Sequence, residues 1–236
     1  MVGIPKIIHM IWIGPFQMPW HWMKTWPEKH PDWEFVLWDN QRMAASNFYN
    51  QHLIDEYMRR KAYAGVADLM RYEILYRFGG IMPGSDSVCL MPIDELFPDP
   101  KAYGVIENEQ VGEGRIAPLY ACQPNNKFAY QLIHHLHALK PKALDVPWKS
   151  VGNNLMRDLV AEIKPDITLF PSHYFIPHHF LGVHYKGDGP IYAEQMWGST
   201  RKIYDKPHLS KEEIEKITYR VFTIPEDSKV QKNGKA

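Results

Sequence analysis

The chain has 236 residues, 45% apolar and 23% charged, a composition that excludes disorder over most of its length and suits one domain with a proper core. Lys plus Arg and Asp plus Glu number 27 each. The formal net charge is therefore zero, which excludes a protein built mainly to coat nucleic acid or an anionic membrane. Cys89 and Cys122 are the only cysteines and form no Cys-x-x-Cys. They argue against a disulfide framework or thiolate zinc site and for reduced thiols in a cytoplasmic chain.

The first predicted element is a buried strand over Ile4–Ile13, rich in β-branched residues and stopped by Gly14-Pro15. The uncharged stretch around it, residues 7–23, is too short and interrupted for a membrane span, and no secretory signal pattern precedes it. A short helix and loop follow over Met18–Pro31, then a second strand, Glu34–Trp38, ended by Asp39-Asn40. Six of the eight Trp fall from Trp12 to Trp38. Such density builds core and pocket walls, because each indole buries a large area and offers a flat stacking face. From Asn47 to Phe78 the pattern is helical, with Ala64, Ala67, Asp68, Arg71, Leu75 and Phe78 at three- and four-residue steps. Gly79-Gly80 stops it.

Ile81–Leu90 reads as a strand interrupted by Pro83-Gly84, and Tyr103–Glu107 and Leu119–Cys122 as further strands. Helices are expected over Asn126–Leu139 and Asn153–Ile163, and a short strand over Ile167–Phe170. Residues 171–200 are loop-rich, with aromatics and histidines. A charged helix, Lys211–Lys216, and a strand, Tyr219–Ile224, precede a polar tail. Strands alternating with helices indicate an α/β fold with a mostly parallel central sheet. The expected division is a main domain over residues 1–205 and a C-terminal extension over 206–236.

Three segments together resemble glycosyltransferase family 32. They are Ile4-Pro-Lys-Ile-Ile-His-Met-Ile-Trp-Ile-Gly14, then Pro31-Asp-Trp-Glu-Phe35 with Leu37-Trp-Asp39, and most strongly Ala64-Gly-Val-Ala-Asp68-Leu-Met-Arg71 through Phe78-Gly79-Gly80-Ile81. Ile191-Tyr-Ala-Glu-Gln-Met-Trp197-Gly-Ser199 is similar to the family's closing loop. The family covers capsular-polysaccharide-type sugar transferases and initiating mannosyltransferases, and is distantly similar to the glucosylating clostridial toxins. The resemblance implies a GT-A type single Rossmann-like nucleotide-sugar-binding fold. It also implies transfer of a sugar from a UDP- or GDP-sugar to a glycan or other hydroxyl acceptor, with retention of anomeric configuration.

A donor's base needs an apolar face to stack on, and Trp12, at the carboxyl end of the first strand, stands where the family stacks it. Asp68 and Arg71 share one helix face beside an apolar stripe, and buried charge is costly unless paired or used. The resemblance gives this pair the donor's sugar hydroxyls. It also places Ile11, Gly80, Asn153, Trp197 and Ser199 on the substrate side.

The sequence departs from the family at two points. The family's Asp-x-Asp, suited to Mn²⁺ or Mg²⁺ bridging to the diphosphate, is here Gly84-Ser-Asp86. Only Asp86, the position similar to the direct ligand, keeps its carboxylate. Family members carry His near Gln195 or Met196, and here that imidazole is gone. Glu194 is then the candidate second metal ligand, with His178, His179 and His184 nearby as lesser ones. Gly84, following Pro83, is expected to use a positive φ. The two losses open a second reading, a non-catalytic binding module with a degenerate metal site. A third keeps the transferase but directs it to a modified nucleic-acid base, against which neutral charge counts.

Overall fold

The computed structural model describes residues 3–202. The expected extension over 206–236, with its charged helix and strand, lies outside the described residues.

Eight strands and eight α-helices are assigned among those residues. In chain order they are β1 (Ile7–Ile11), α1 (Trp20–Met23), α2 (Thr25–Lys29), β2 (Glu34–Trp38), α3 (Asn40–Ala44), α4 (Gln51–Arg59) and α5 (Tyr63–Phe78). There follow β3 (Gly80–Ile81), β4 (Ser87–Cys89), β5 (Ala102–Val105), β6 (Ala121–Cys122) and α6 (Lys127–His137). The last are α7 (Pro147–Ser150), α8 (Asn153–Ile163), β7 (Ile167–Phe170) and β8 (Ala193–Gln195).

The main sheet has six strands in the order β2-β1-β3-β6-β5-β7, and β4 pairs with β8 in a separate two-stranded sheet. Pairings β1–β2, β1–β3 and β5–β7 are parallel, while β6 is antiparallel to both β3 and β5. Five strands therefore run one way and β6 alone runs against them. This is the mostly parallel α/β sheet expected from the alternation of elements.

Side-chain alternation sends successive strand residues to opposite layers. Ile8, Met10, Ile81, Tyr103 and Val105 join a cluster with Trp26, Trp33, Phe97 and Phe170. Ile11, Ala102 and Cys122 join the other, larger cluster with α4, α5, α6 and α8. Helix α5 is its centre, with Val66, Leu69, Met70, Tyr72, Ile74 and Leu75 buried. The buried Glu73 of α5 accepts the N–H groups of Tyr49 (2.7 Å) and Asn50 (2.9 Å) and pairs with Arg77 (3.0 Å). It ties the loop before α4 to the central helix.

The glycine pair after α5 has a definite job. Gly79 and Gly80 take φ of +66° and +87°, and a Cβ on Gly80 would lie 2.5 Å from the Ile7 carbonyl oxygen. The helix can thus end and β3 lie flush against β1 without a clash. His9 secures the junction. Its Nδ1 accepts from the Trp38 indole (3.2 Å), so its Nε2 carries the proton donated to the Gly79 carbonyl (3.0 Å). Burial pulls the His9 pKa down to about 4, which keeps the ring neutral.

Three expectations are adjusted. The helical run from Asn47 divides into α4 and α5 because Lys61 takes a left-handed φ of 56°. Ala62 then closes the turn by donating to the Tyr57 carbonyl (2.9 Å). The strand expected over Ile81–Leu90 breaks at Pro83-Gly84 into β3 and β4, which belong to different sheets. Leu119–Cys122 contributes only the two residues of β6. Among the described residues no helix is long and apolar enough to cross a membrane.

Candidate functional site

The carboxyl ends of β1, β3 and β5 open onto a cleft of about 610 Å³. That is where open α/β sheets bind ligands, since the loops leaving the strands diverge there. Ile11 and Trp12 form its wall after β1, with Phe16 and Tyr63 beside them. The Trp12 indole donates to the Phe16 carbonyl (2.9 Å), and Phe16 meets Tyr63 edge-on at 6.1 Å. The turn beneath is locked by Asn40, whose amide accepts from Gly14 N–H (2.8 Å) and donates to its carbonyl (2.9 Å). The outcome is a half-buried indole fixed in one orientation at one end of the cleft.

Asp68 and Arg71, from the middle of α5, line the same cleft. Arg71 Nη1 donates to the carbonyls of Met82 and, at 3.3 Å, Leu119. Its buried Nε has no hydrogen-bond partner among the described residues. Burial raises the Asp68 carboxyl to about 7, with Arg71 pulling the other way. Gly152 approaches so closely that a Cβ there would lie 2.9 Å from Asp68 Oδ2.

Asp86 sits in the loop between β3 and β4, also on the cleft. Its Oδ1 accepts from Gln195 Nε2 at 2.6 Å and its Oδ2 from the Gly198 N–H at 2.8 Å. Its own carbonyl accepts from Met196 N–H (2.8 Å). Burial raises its pKa, while the Gln195 and Gly198 hydrogen bonds work against that. Trp197 and Ser199 line the cleft in this closing segment, and the Trp197 indole donates to the His178 carbonyl (2.9 Å).

The structure brings together Ile11, Trp12, Asp68, Arg71, Asp86, Asn153, Trp197 and Ser199. It does not bring in Glu194 or Gly80. Glu194 pairs with Val88 in the β4–β8 ladder, one residue out of phase with Gln195, so it points away from the cleft that Gln195 lines. It is instead buried against His178 Nδ1 at 2.6 Å. Gly80 acts through the backbone, as the close approach to β1. His179 is likewise committed elsewhere, to Glu107, and His184 lies against the His178 ring (5.1 Å). Gly84 does not take the expected positive φ. What crowds it is Gln195, whose Oε1 would lie 2.9 Å from a Cβ there.

These residues do not fit a divalent cation as arranged. A hard cation needs several oxygen ligands, and of the two expected carboxylates only Asp86 lines the cleft, each of its oxygens already accepting one N–H. The expected partner Glu194 faces the other way. No group of three or more His, Cys, Asp or Glu suited to a metal occurs among the described residues.

Several cleft residues were missed in the sequence, Phe16, Lys61, Tyr63, Glu107 and Lys202 among them. Glu107, just past β5, is buried on the cleft wall and accepts from Arg115 Nη2 (3.0 Å), Asn153 Nδ2 (2.6 Å) and His179 Nε2 (3.0 Å). It fixes the orientation of Asn153. A carboxylate at the carboxyl end of a predicted strand was the available signal.

Residues 21–103 match the family described as a glycosyltransferase sugar-binding region containing a DXD motif. The chain is 30% identical to inositol phosphoceramide mannosyltransferase 1 of Schizosaccharomyces pombe over 144 residues, 58% of this chain and 44% of that protein. It is 25% identical to uncharacterized glycosyltransferase L373 of Acanthamoeba polyphaga mimivirus over 185 residues, 74% and 73% of the two chains. The solved PaToxG glycosyltransferase superposes with a TM-score of 0.53 at 17% identity, covering 69% of this chain and 71% of that one. The chain thus spans less than half the length of the yeast relative. These matches show the resemblance to glycosyltransferases with a DXD sugar-binding region, and the fold is similar to that of the PaToxG glycosyltransferase.

Proposed function

We propose that this chain transfers a sugar from a UDP- or GDP-sugar to the hydroxyl of a glycan or similar acceptor, with retention of anomeric configuration. The observation that carries the reading is one cleft lined by a fixed indole, by the half-buried Asp68 and Arg71 of α5, and by Trp197 and Ser199 of the closing segment. Trp12 stacks the base. Asp68 and Arg71, the latter held by two carbonyls, bind the sugar hydroxyls. Glu107 orients Asn153 toward the sugar or acceptor side. The acceptor oxygen attacks the anomeric carbon from the face the diphosphate leaves. The new C–O bond forms as the bond to phosphate breaks, and the acceptor's proton passes to the departing diphosphate, so no protein base is required.

The relatives named as mannosyltransferases support mannose as the sugar carried, and hence GDP-mannose as the first donor to try. The test is release of nucleoside diphosphate from a panel of GDP- and UDP-hexoses. Turnover by the parent is expected, with strong loss in Asp68→Asn and Arg71→Ala and nearly unchanged diphosphate binding. The commitment of both Asp86 oxygens favours a second reading, a module that binds sugar nucleotides without turning them over. Binding of GDP or UDP with every donor left intact would select it.

A further inference from the structure

We infer that the side-chain amide of Gln195 takes the place of the divalent cation, so that this cleft holds a nucleoside diphosphate through protein cations alone. The inference rests on the reading of the cleft as a donor site.

Gln195 and Gly84 are complementary in space. The amide of Gln195 lies across the place where a side chain at position 84 would project, with Oε1 at 2.9 Å and Nε2 at 3.5 Å from an ideal Cβ. The same amide donates to Asp86 Oδ1 at 2.6 Å. A carboxylate that could have bound a metal is thus satisfied by charge-assisted N–H bonds. Its second oxygen accepts from Gly198 N–H at 2.8 Å, and so opens the turn that follows. Arg201 N–H donates to the Trp197 carbonyl (2.8 Å) and Lys202 N–H to the Ser199 carbonyl (3.1 Å). That turn carries Ser199, Thr200 and Lys202 onto the cleft wall. Asp86 therefore acts as an anchor for the closing segment, and that segment brings Lys202 to the cleft wall. Lys61, on the lip beside Trp12 and Tyr63, is a second lysine on that wall. A diphosphate is matched by such donors directly, whereas a metal would have to displace the Gln195 amide first.

The experiment is calorimetric titration of GDP and UDP into the full chain in excess EDTA and in excess Mn²⁺. The affinity for whichever nucleotide binds is expected to agree within about twofold between the two conditions, and Lys202→Ala to weaken it about tenfold in both. Manganese resonance spectra without nucleotide are expected to show no bound ion in the parent. A bound ion is expected in Gly84→Asp/Gln195→Ala, where the space is cleared and a second carboxylate supplied. Loss of the parent's nucleotide affinity in EDTA, or parental affinity in Lys202→Ala, overturns the inference while leaving the donor cleft standing. Absence of binding by both nucleotides in both conditions overturns the donor cleft itself, and the inference with it.

Discussion

Replacing Asp68 by Asn isolates the ionisation on which sugar binding would depend. The carboxyl is raised from 3.8 to about 7 by burial between α5 and the Gly152 backbone, with the Arg71 charge offsetting only part of it. A shift of that size favours the protonated form by on the order of 4 kcal/mol. The folded state therefore binds this proton more tightly than the unfolded chain, and the contribution to stability is full below about pH 4 and is lost as pH rises through about 7. Ionised Asp68 is the better acceptor for sugar hydroxyls, so turnover by the parent should rise through about pH 7 while its melting temperature declines. Asp68→Asn should be slow, flat in that range and more resistant to unfolding at alkaline pH. The assays are GDP release from GDP-mannose against pH and thermal melting of both proteins in the same buffers. A parental pH profile in Asp68→Asn would show that another group titrates and that Asp68 does not hold the sugar.

Trp12→Ala should weaken GDP or UDP binding by about 1–3 kcal/mol, the range for base–aromatic stacking, and equal affinity by calorimetry would remove Trp12 from the site. Glu107→Ala strands Arg115 and the buried His179, and should cost about 3 kcal/mol in denaturant unfolding; a loss below a few tenths would contradict the network. Gly80→Ala places a methyl 2.5 Å from the Ile7 carbonyl at a φ of +87°, and should destabilise by more than about 1 kcal/mol. An unchanged midpoint would mean that β1 and β3 are not held this closely.

What the sequence made legible was local. Helix α5 and its stop were readable because apolar spacing and a Gly-Gly pair state them within one stretch of chain. The break between α4 and α5 was not, since Lys61 turns left-handed without a Gly, Pro or Asn to announce it. The reversed strand β6 is two residues long and owes its direction to the partners on either side, β3 and β5. Site residues followed the same division. Trp12, Asp68 and Arg71 stand in contiguous motifs, whereas Glu107 gains its meaning from Arg115, Asn153 and His179, at separations of 8, 46 and 72 residues. Glu194 was misplaced by a strand's parity: one step along β8 exchanges the cleft face for the opposite one.

Gly84 and Gln195 show the same limit from the other side. In the sequence they are two separate losses, 111 positions apart, each weakening a metal site. In space the second fills the room left by the first and satisfies the carboxylate that remains, across a separation of 109 residues between Asp86 and Gln195. A buried carboxylate without metal or donor would be costly to keep. One that binds an amide and opens the turn carrying Lys202 has a structural use. The physical unit at this site is therefore the triple of Gly84, Asp86 and Gln195, and a change at any one of them must be judged by what it does to the other two.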